Sequence, residues 1–199
     1  AYISAGISTD HECIGPEEAA EKVSKGMYVH LRAGSATRNV ATNCKAVTAA
    51  NLRRFMMCTD DRHAADIKEK GHLDNALRIA VKAGMNPVWA VTAATLNTAE
   101  CYRLYGKGAI APGYDADIAV FDDLTDFQCS YTFKNGKLVA KDGEALFDAG
   151  EKFLPDAVKN TVHIGQVSAD SFKLGLKGKK ANVIRLISNN VVTERVVRE

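Results

Sequence analysis

The run Phe55-Met56-Met57-Cys58 is apolar at every position and stops abruptly at Thr59-Asp60-Asp61-Arg62. A strand with apolar side chains on both faces is at home inside a parallel sheet covered on both sides. The chain repeats the pattern. Ala5-Gly6-Ile7 leads into Ser8-Thr9-Asp10-His11-Glu12, and the run from Met27 to Leu31 ends in Arg32-Ala33-Gly34-Ser35. Helix-compatible stretches separate the three, so residues 1 to about 105 read as β-α units of an α/β fold with a parallel sheet and right-handed crossovers. In such folds ligands bind at the carboxyl ends of the strands, where all three polar clusters fall.

The intervening segments carry their own signals. In "GPEEAAEKVSKG", Pro16 suits the first helical position, Glu17 and Glu18 the positive end of the helix dipole, and Lys22 and Lys25 the negative end. "NVATNCKAVTAANLRR" is expected to be one helix. In "DIKEKGHLDNALRIAVKAG", Leu73, Ala76, Leu77, Ala80 and Val81 share one helix face. Asn86-Pro87 reads as a cap and first turn opening a helix through "VWAVTAATLNTAECYRLY".

The grammar changes after Gly106. "GAIAPGYDADIAVFD" holds Gly, Pro and Asp turns and then a strand over 117–121, and "YTFKNGKLVAKDG" predicts a hairpin on a type I′ turn at Asn135-Gly136. "EALFDAGEKF" is helix-compatible up to Pro155, and "HIGQV", "FKLGL" and "NVIRLI" are strand-like. "AYISAGIS" reads as the middle of a fold and "NNVVTERVVRE" as a strand in progress, so the chain is expected to be a piece of a longer one.

Composition narrows the function classes. Of 199 residues, 46% are hydrophobic and 25% charged, and the net charge is +2 with bases and acids interleaved. This is ordinary globular composition and gives no basic surface for nucleic acid. No apolar run reaches the ~18 residues of a membrane-spanning helix, and no secretory leader is visible. The cysteines, Cys13, Cys44, Cys58, Cys101 and Cys129, are widely spaced with no C-x-x-C pair, and are expected to be reduced thiols in a cytoplasmic protein. Phosphate-cradling glycine loops, a nucleophile elbow and the signature of the small zinc nucleobase deaminases are all absent.

What remains is the strand-end chemistry. A His from one strand end and an Asp from another supply imidazole and carboxylate, the donors of a hard-to-borderline divalent ion. A carboxylate beside a metal-activated water also serves as its base. Each residue has a structural alternative: His11 as an incidental neighbour of a helix cap, and Asp60 and Asp61 as caps of the following helix. His30, inside a strand, reads as a hydrogen-bonded core residue, His63 and His163 as surface residues, and His72 stays open between the two.

Taken together, "GISTDHE", "EEAAEKVSKGMYVHLRAGSATRN", "CTDDR", "GHLDNALRIAVKAGMNPVWAVTAATLNTAE", "GKGAIAPGYDADIAVFDDL" and "NGKLVAKDG" resemble the adenine deaminases of the amidohydrolase superfamily over nearly all of residues 1 to 175. The resemblance implies a partial (β/α)8 TIM-type barrel, strands six to eight with their helices, over 1–107. It implies a small antiparallel β-sandwich portion over 108–150, and a linker with the start of a C-terminal domain over 151–199. It implies hydrolytic deamination of adenine to hypoxanthine and ammonia, with a metal-activated hydroxide attacking C6. The implied cofactor is a manganese, iron or zinc ion, as a binuclear centre in the complete enzyme. His11 and Asp60 are the implied metal ligands, Asp60 and Glu12 the catalytic residues, and Arg32, Ser35 and Asp61 the substrate contacts or ligand holders. Adenine is the implied partner, in a homo-oligomer of purine salvage. The H-x-H pair of the family's first strand has no counterpart here, nor has any ligand from strands four and five. Two alternatives stand beside this reading: another amidohydrolase acting on a cyclic amide, or a catalytically dead fragment or interaction module.

Overall fold

The computed structural model describes residues 1–148, 150 and 155–199. Three parallel strands lie in sequence order: β1 (Thr9–Asp10), β2 (Tyr28–Arg32) and β3 (Phe55–Cys58). Thr9 is registered with Tyr28, and β2 pairs with β3 from Val29↔Phe55 to Arg32↔Cys58. The strand ending at Arg32 therefore runs between the other two, and all three polar clusters sit on one edge.

Helices cover this sheet. α1 (Pro16–Ser24) buries Ala19 and Val23 and keeps Glu17 and Glu18 in its first turn. α4 (Leu73–Lys82) buries Ala76, Leu77 and Ala80, and α5 (Pro87–Ala94) buries Ala90 and Ala93. Asn86 caps α5 as its sequence implies, accepting from the Val88 and Trp89 amides at 2.9 and 3.3 Å. These faces meet Val29, Leu31, Phe55 and Met57 in one core that also takes in Phe127 from the later part of the chain.

Several elements are shorter than periodicity alone suggests. "AGIST" gives a strand only at Thr9–Asp10, because Ile3–Ala5 closes a 3-10 turn at Gly6, whose φ is 88°. "NVATNCKAVTAANLRR" splits into α2 (Val40–Asn43) and two 3-10 turns, with the Asn51 side chain accepting from Thr48 N at 2.7 Å and donating to Ala46 O at 2.9 Å. That side chain offers the backbone a turn in place of a helix. Gly71, at φ 90°, separates α3 (Ala64–Lys70) from α4. A break at Thr95 separates α5 from α6 (Leu96–Cys101).

After Gly106 the chain builds an antiparallel sheet: β4 (Ile118–Phe121), β5 (Cys129–Lys134), β6 (Lys137–Lys141) and β7 (Glu144–Ala145). Asn135 and Gly136 both take positive φ, 51° and 73°, as a type I′ turn requires. Glu144 and Ala145 are paired strand and not helix, because they continue the ladder beyond β6; residue 149 and residues 151–154 of the expected helix lie outside the described residues. "HIGQV" and "FKLGL" form no ladder; the second begins at Phe172, the last residue of a 3-10 turn at Ala169–Phe172. "NVIRLI", apart from Ile187, lies within β8 (Ala181–Leu186), which pairs along its whole length with β9 (Thr193–Arg198). All five cysteines are free thiols. No helix among the described residues is long and apolar enough to cross a membrane.

Candidate active site

The loops leaving β1 and β3 place His11, Glu12 and Asp60 together. His11 Nε2 lies 3.3 Å from Glu12 Oε1 and 3.9 Å from Asp60 Oδ1, and one donor atom from each of the three falls within 4.8 Å of the others. Two protein atoms bonded to one ion at about 2.0–2.2 Å stand no more than about 4.4 Å apart. The distances from His11 meet that limit. One imidazole and two carboxylates suit an ion of the manganese, iron or zinc class, so the residues present fit a divalent metal. No cysteine is among the three converging groups; burial pushes the Cys58 thiol, at the end of β3, up to about 12, and the Cys13 thiol likewise, the latter helped by the adjacent Asp10 carboxylate.

Arg32 joins the cluster from below. Its Nη1 donates to Glu12 Oε1 and to Asp60 Oδ2, each at 2.7 Å, and its side chain is only 3% exposed. The guanidinium places a positive charge between the two carboxylates. They are 44% and 43% exposed, so water screens much of this attraction and the bridge acts chiefly as a geometric clamp. Asp60 itself sits at φ 50°, a left-handed conformation that Asp tolerates better than most residues and that recurs at functional sites.

Asn39, at the end of "RAGSATRN", is a site residue beyond those the sequence reading names. It is buried, accepts from Arg32 N through Oδ1 at 2.6 Å, and donates through Nδ2 to the carbonyls of His11 and Cys13 at 3.1 and 3.2 Å. The buried Asn43 adds a second donor to Cys13 O at 2.8 Å. One amide thus ties the His11 loop to the end of β2. An Asn at that spacing from the strand-end Arg was the available signal.

Ser35 and Asp61 lie apart from the cluster. Asp61 Oδ2 accepts from Ala36 N at 2.6 Å, and a Cβ on Gly34 would stand 1.7 Å from Asp61 Oδ1, so only glycine admits the carboxylate here. Burial works to raise the Asp61 carboxyl, but the backbone donors and the Arg32 charge outweigh it and hold it below the ordinary value. The Ser35 hydroxyl donates to the Asp66 carboxylate and accepts from His63 N at 2.9 Å. Both residues stitch the turn after β2 to the loop after β3. Arg32 alone of the three expected substrate contacts reaches the cluster.

His30 is a hydrogen-bonded core residue, as its place within a strand suggests. It is 7% exposed, its Nε2 lies 2.9 Å from the Tyr102 hydroxyl, and its ring meets that of His11 edge-on at 6.4 Å. His72 is exposed but bonded to Thr59 Oγ1 at 3.0 Å, while His63 and His163 are exposed. Burial pulls the His30 pKa below its ordinary 6.5. The unfolded chain therefore binds the proton first as pH falls, so the neutral ring's contribution to stability is complete above 6.5 and is lost on acidification toward the lower folded value. Urea midpoints taken from about pH 7.5 down to about pH 5.5 should fall more steeply for the native chain than for His30→Gln. Equal slopes would show that His30 is not the sensor.

Residues 1–139 match the model of the amidohydrolase family. Among curated proteins the chain is similar to the adenine deaminase of Lysinibacillus sphaericus (strain C3-41), 41% identical over 98% of this chain and 34% of that protein. It is similar to the adenine deaminase of Nitratidesulfovibrio vulgaris (strain DP4), 46% identical over 100% of this chain and 34% of that one. The corresponding figures for the adenine deaminase of Clostridium acetobutylicum are 43%, 100% and 35%. The chain thus spans about a third of the length of these relatives. Among solved structures, a beta-aspartyl dipeptidase from Fervidobacterium islandicum AW-1 shares the fold, with a TM-score of 0.55, 19% identity, and coverage of 72% of this chain and 41% of that one.

Proposed function

Because the chain belongs to the amidohydrolase family, we propose that its cluster is part of the active site of a metal-dependent adenine deaminase. The observation that carries this is the convergence of His11, Glu12, Asp60 and Arg32 on one sheet edge, within a chain 41–46% identical to adenine deaminases. In this reading the three parallel strands are the sixth to eighth of an eight-stranded barrel spanning residues 1–107. Residues 108–150 belong to a β-sandwich, and 151–199 begin a C-terminal module. The longer protein self-associates and works in the cytoplasm in purine salvage.

His11 and Asp60 would hold a divalent ion of iron, manganese or zinc type, one of a pair in the complete enzyme. When bound, it supplies a Lewis acid that lets water act as a nucleophile near neutral pH. The residues do the rest. Asp60 takes the proton of the water that attacks C6 of adenine and returns it to the departing amine, so adenine and water become hypoxanthine and ammonia. Glu12, beside His11 and open to solvent over nearly half its side chain (44%), stands where it can exchange a proton with the ring. Arg32 fixes both carboxylates toward the same space, which keeps the acid and base groups in register with the substrate. Ser35 and Asp61 hold the turn that shapes the mouth.

The test is turnover by the longer, metal-replete protein on a panel of adenine, cytosine, dihydroorotate and an imidazolone, read as ammonia release for the two amino-bearing bases and as ring opening, followed by ultraviolet absorbance, for the two cyclic amides. Adenine should be preferred in kcat/KM by at least about a hundredfold, because a site that hydrogen-bonds the substrate edge rejects analogues that leave its polar groups unpaired. Preference for a cyclic amide would replace the reading with another amidohydrolase.

A further inference from the structure

His11 and Glu12 are neighbours in sequence, and neighbours on an extended chain point to opposite sides. Both nevertheless reach the cluster, with Nε2 and Oε1 3.3 Å apart. The backbone must turn to allow this, but residues 11–14 belong to no helix or strand that would impose the turn. Side chains supply it. Asp10 Oδ1 accepts from Glu12 N at 3.3 Å, a local bond that bends the chain two residues on. The other oxygen, Oδ2, accepts from Cys13 Sγ at 3.0 Å and from Lys22 Nζ at 2.8 Å. Lys22 stands on α1 and also donates to Glu18 Oε1 at 2.6 Å, and Glu18 Oε2 accepts from Ile14 N at 2.9 Å. The Lys22 and Asp10 side chains are 28% and 19% exposed, so this pair is better shielded from water than Lys25 and Glu21 on the same helix, at 60% and 62%.

We propose that Lys22 is a positioning residue for the metal site: by holding the Asp10 carboxylate against the Glu12 amide, it keeps the turn that brings His11 and Glu12 to one ion. The inference rests on the reading of His11 as a metal ligand. Asn39 and Asn43 hold the carbonyl side of the same loop, at His11 and Cys13. Asp10 and Glu18 hold its amide side, at Glu12 and Ile14, and Lys22 joins the two carboxylates that do so. Without Lys22 the Asp10 carboxylate loses its charged partner and turns toward solvent, where water hydrates it. The Glu12 amide is then released, the turn relaxes toward extended backbone, and the imidazole and the Glu12 carboxylate part. Charge alone predicts the reverse. Removing a cation near a metal site favours the incoming ion, so the sign of the change separates positioning from electrostatics.

The experiment measures manganese binding to the longer protein through the electron paramagnetic resonance signal of the free ion. His11→Ala identifies the ion that His11 holds. Lys22→Met keeps the side chain's length and helix propensity, and should raise the Kd of that ion by at least about tenfold, the lower end of the loss when partners of metal ligands are removed. Lys25→Met takes an equal charge from the same helix without touching the loop, and should leave the Kd unchanged. Lys22→Arg restores a charged donor and should recover most of the native affinity. Urea unfolding of the metal-free variants checks their folding, and Lys22→Gln takes the place of Lys22→Met if the latter does not fold. A Kd that is unchanged or lowered in Lys22→Met, that rises equally in Lys25→Met, or that stays as high in Lys22→Arg would overturn the inference. Manganese binding that His11→Ala leaves intact would sink the metal reading of the cluster itself, and the positioning role with it.

Discussion

Asp60→Asn in the longer, metal-replete protein should lower turnover of adenine by at least about three orders of magnitude. The substitution is close to isosteric, and Asn tolerates the left-handed φ of 50° that Asp60 adopts. Its amide oxygen can still accept from Arg32, which donates to Asp60 at 2.7 Å in the native chain. The fold and the turn are therefore retained, while the group that takes a proton from water is gone. Metal content measured alongside separates two causes: normal content with lost turnover assigns the proton transfer to Asp60, and reduced content adds a ligand role. Near-normal turnover at normal metal content would remove Asp60 from the chemistry altogether.

The strand ends that frame this experiment were legible because their signal is local. An apolar run that stops at "TDDR" places Asp60 at a carboxyl end without knowledge of any neighbour, and Asn135-Gly136 dictates its own turn through two positive φ values. The parallel direction of the strands followed from the β-α alternation, and the place of β2 between the other two from the barrel order that the resemblance implies. Helix lengths were less legible. Thr95 interrupts an apolar stretch that continues on both sides of it, so the pattern reads through a break that backbone conformation enforces; Gly71, at φ 90°, parts α4 from an α3 that buries no residue. The distribution of tasks among the polar residues was least legible. Ser35 and Asp61 look as exposed and reactive in sequence as Asp60, but they are consumed by Asp66, His63 and Ala36 across 25 to 31 residues of chain. Arg32 and Asn39 owe their places to partners 20 and 28 residues away. Which strand-end group faces the common space depends on such distant pairings, which no window of sequence contains.

The 199-residue chain on its own should release no measurable ammonia from adenine at any manganese concentration, and should bind the ion weakly. His11, Glu12 and Asp60 converge, but Glu12 and Asp60 are also clamped by the positive charge of Arg32, which repels a cation entering between them. Further anionic or imidazole ligands opposite the cluster would have to offset that charge, and among the described residues no other group of three or more converges. The sheet that carries the cluster has three strands, so the cluster opens to solvent on the sides that β1 and β3 leave unpaired. Water then competes for the ion and for the substrate edge, and the electrostatic interactions that assist proton transfer in an enclosed site are weakened. Calorimetric titration with manganese, followed by ammonia assay on the same sample, checks both halves. Activity that rises in proportion to added manganese, with no other chain present, would show that three strands suffice to orient water against adenine, and that the clamp on Asp60 opens when the ion arrives.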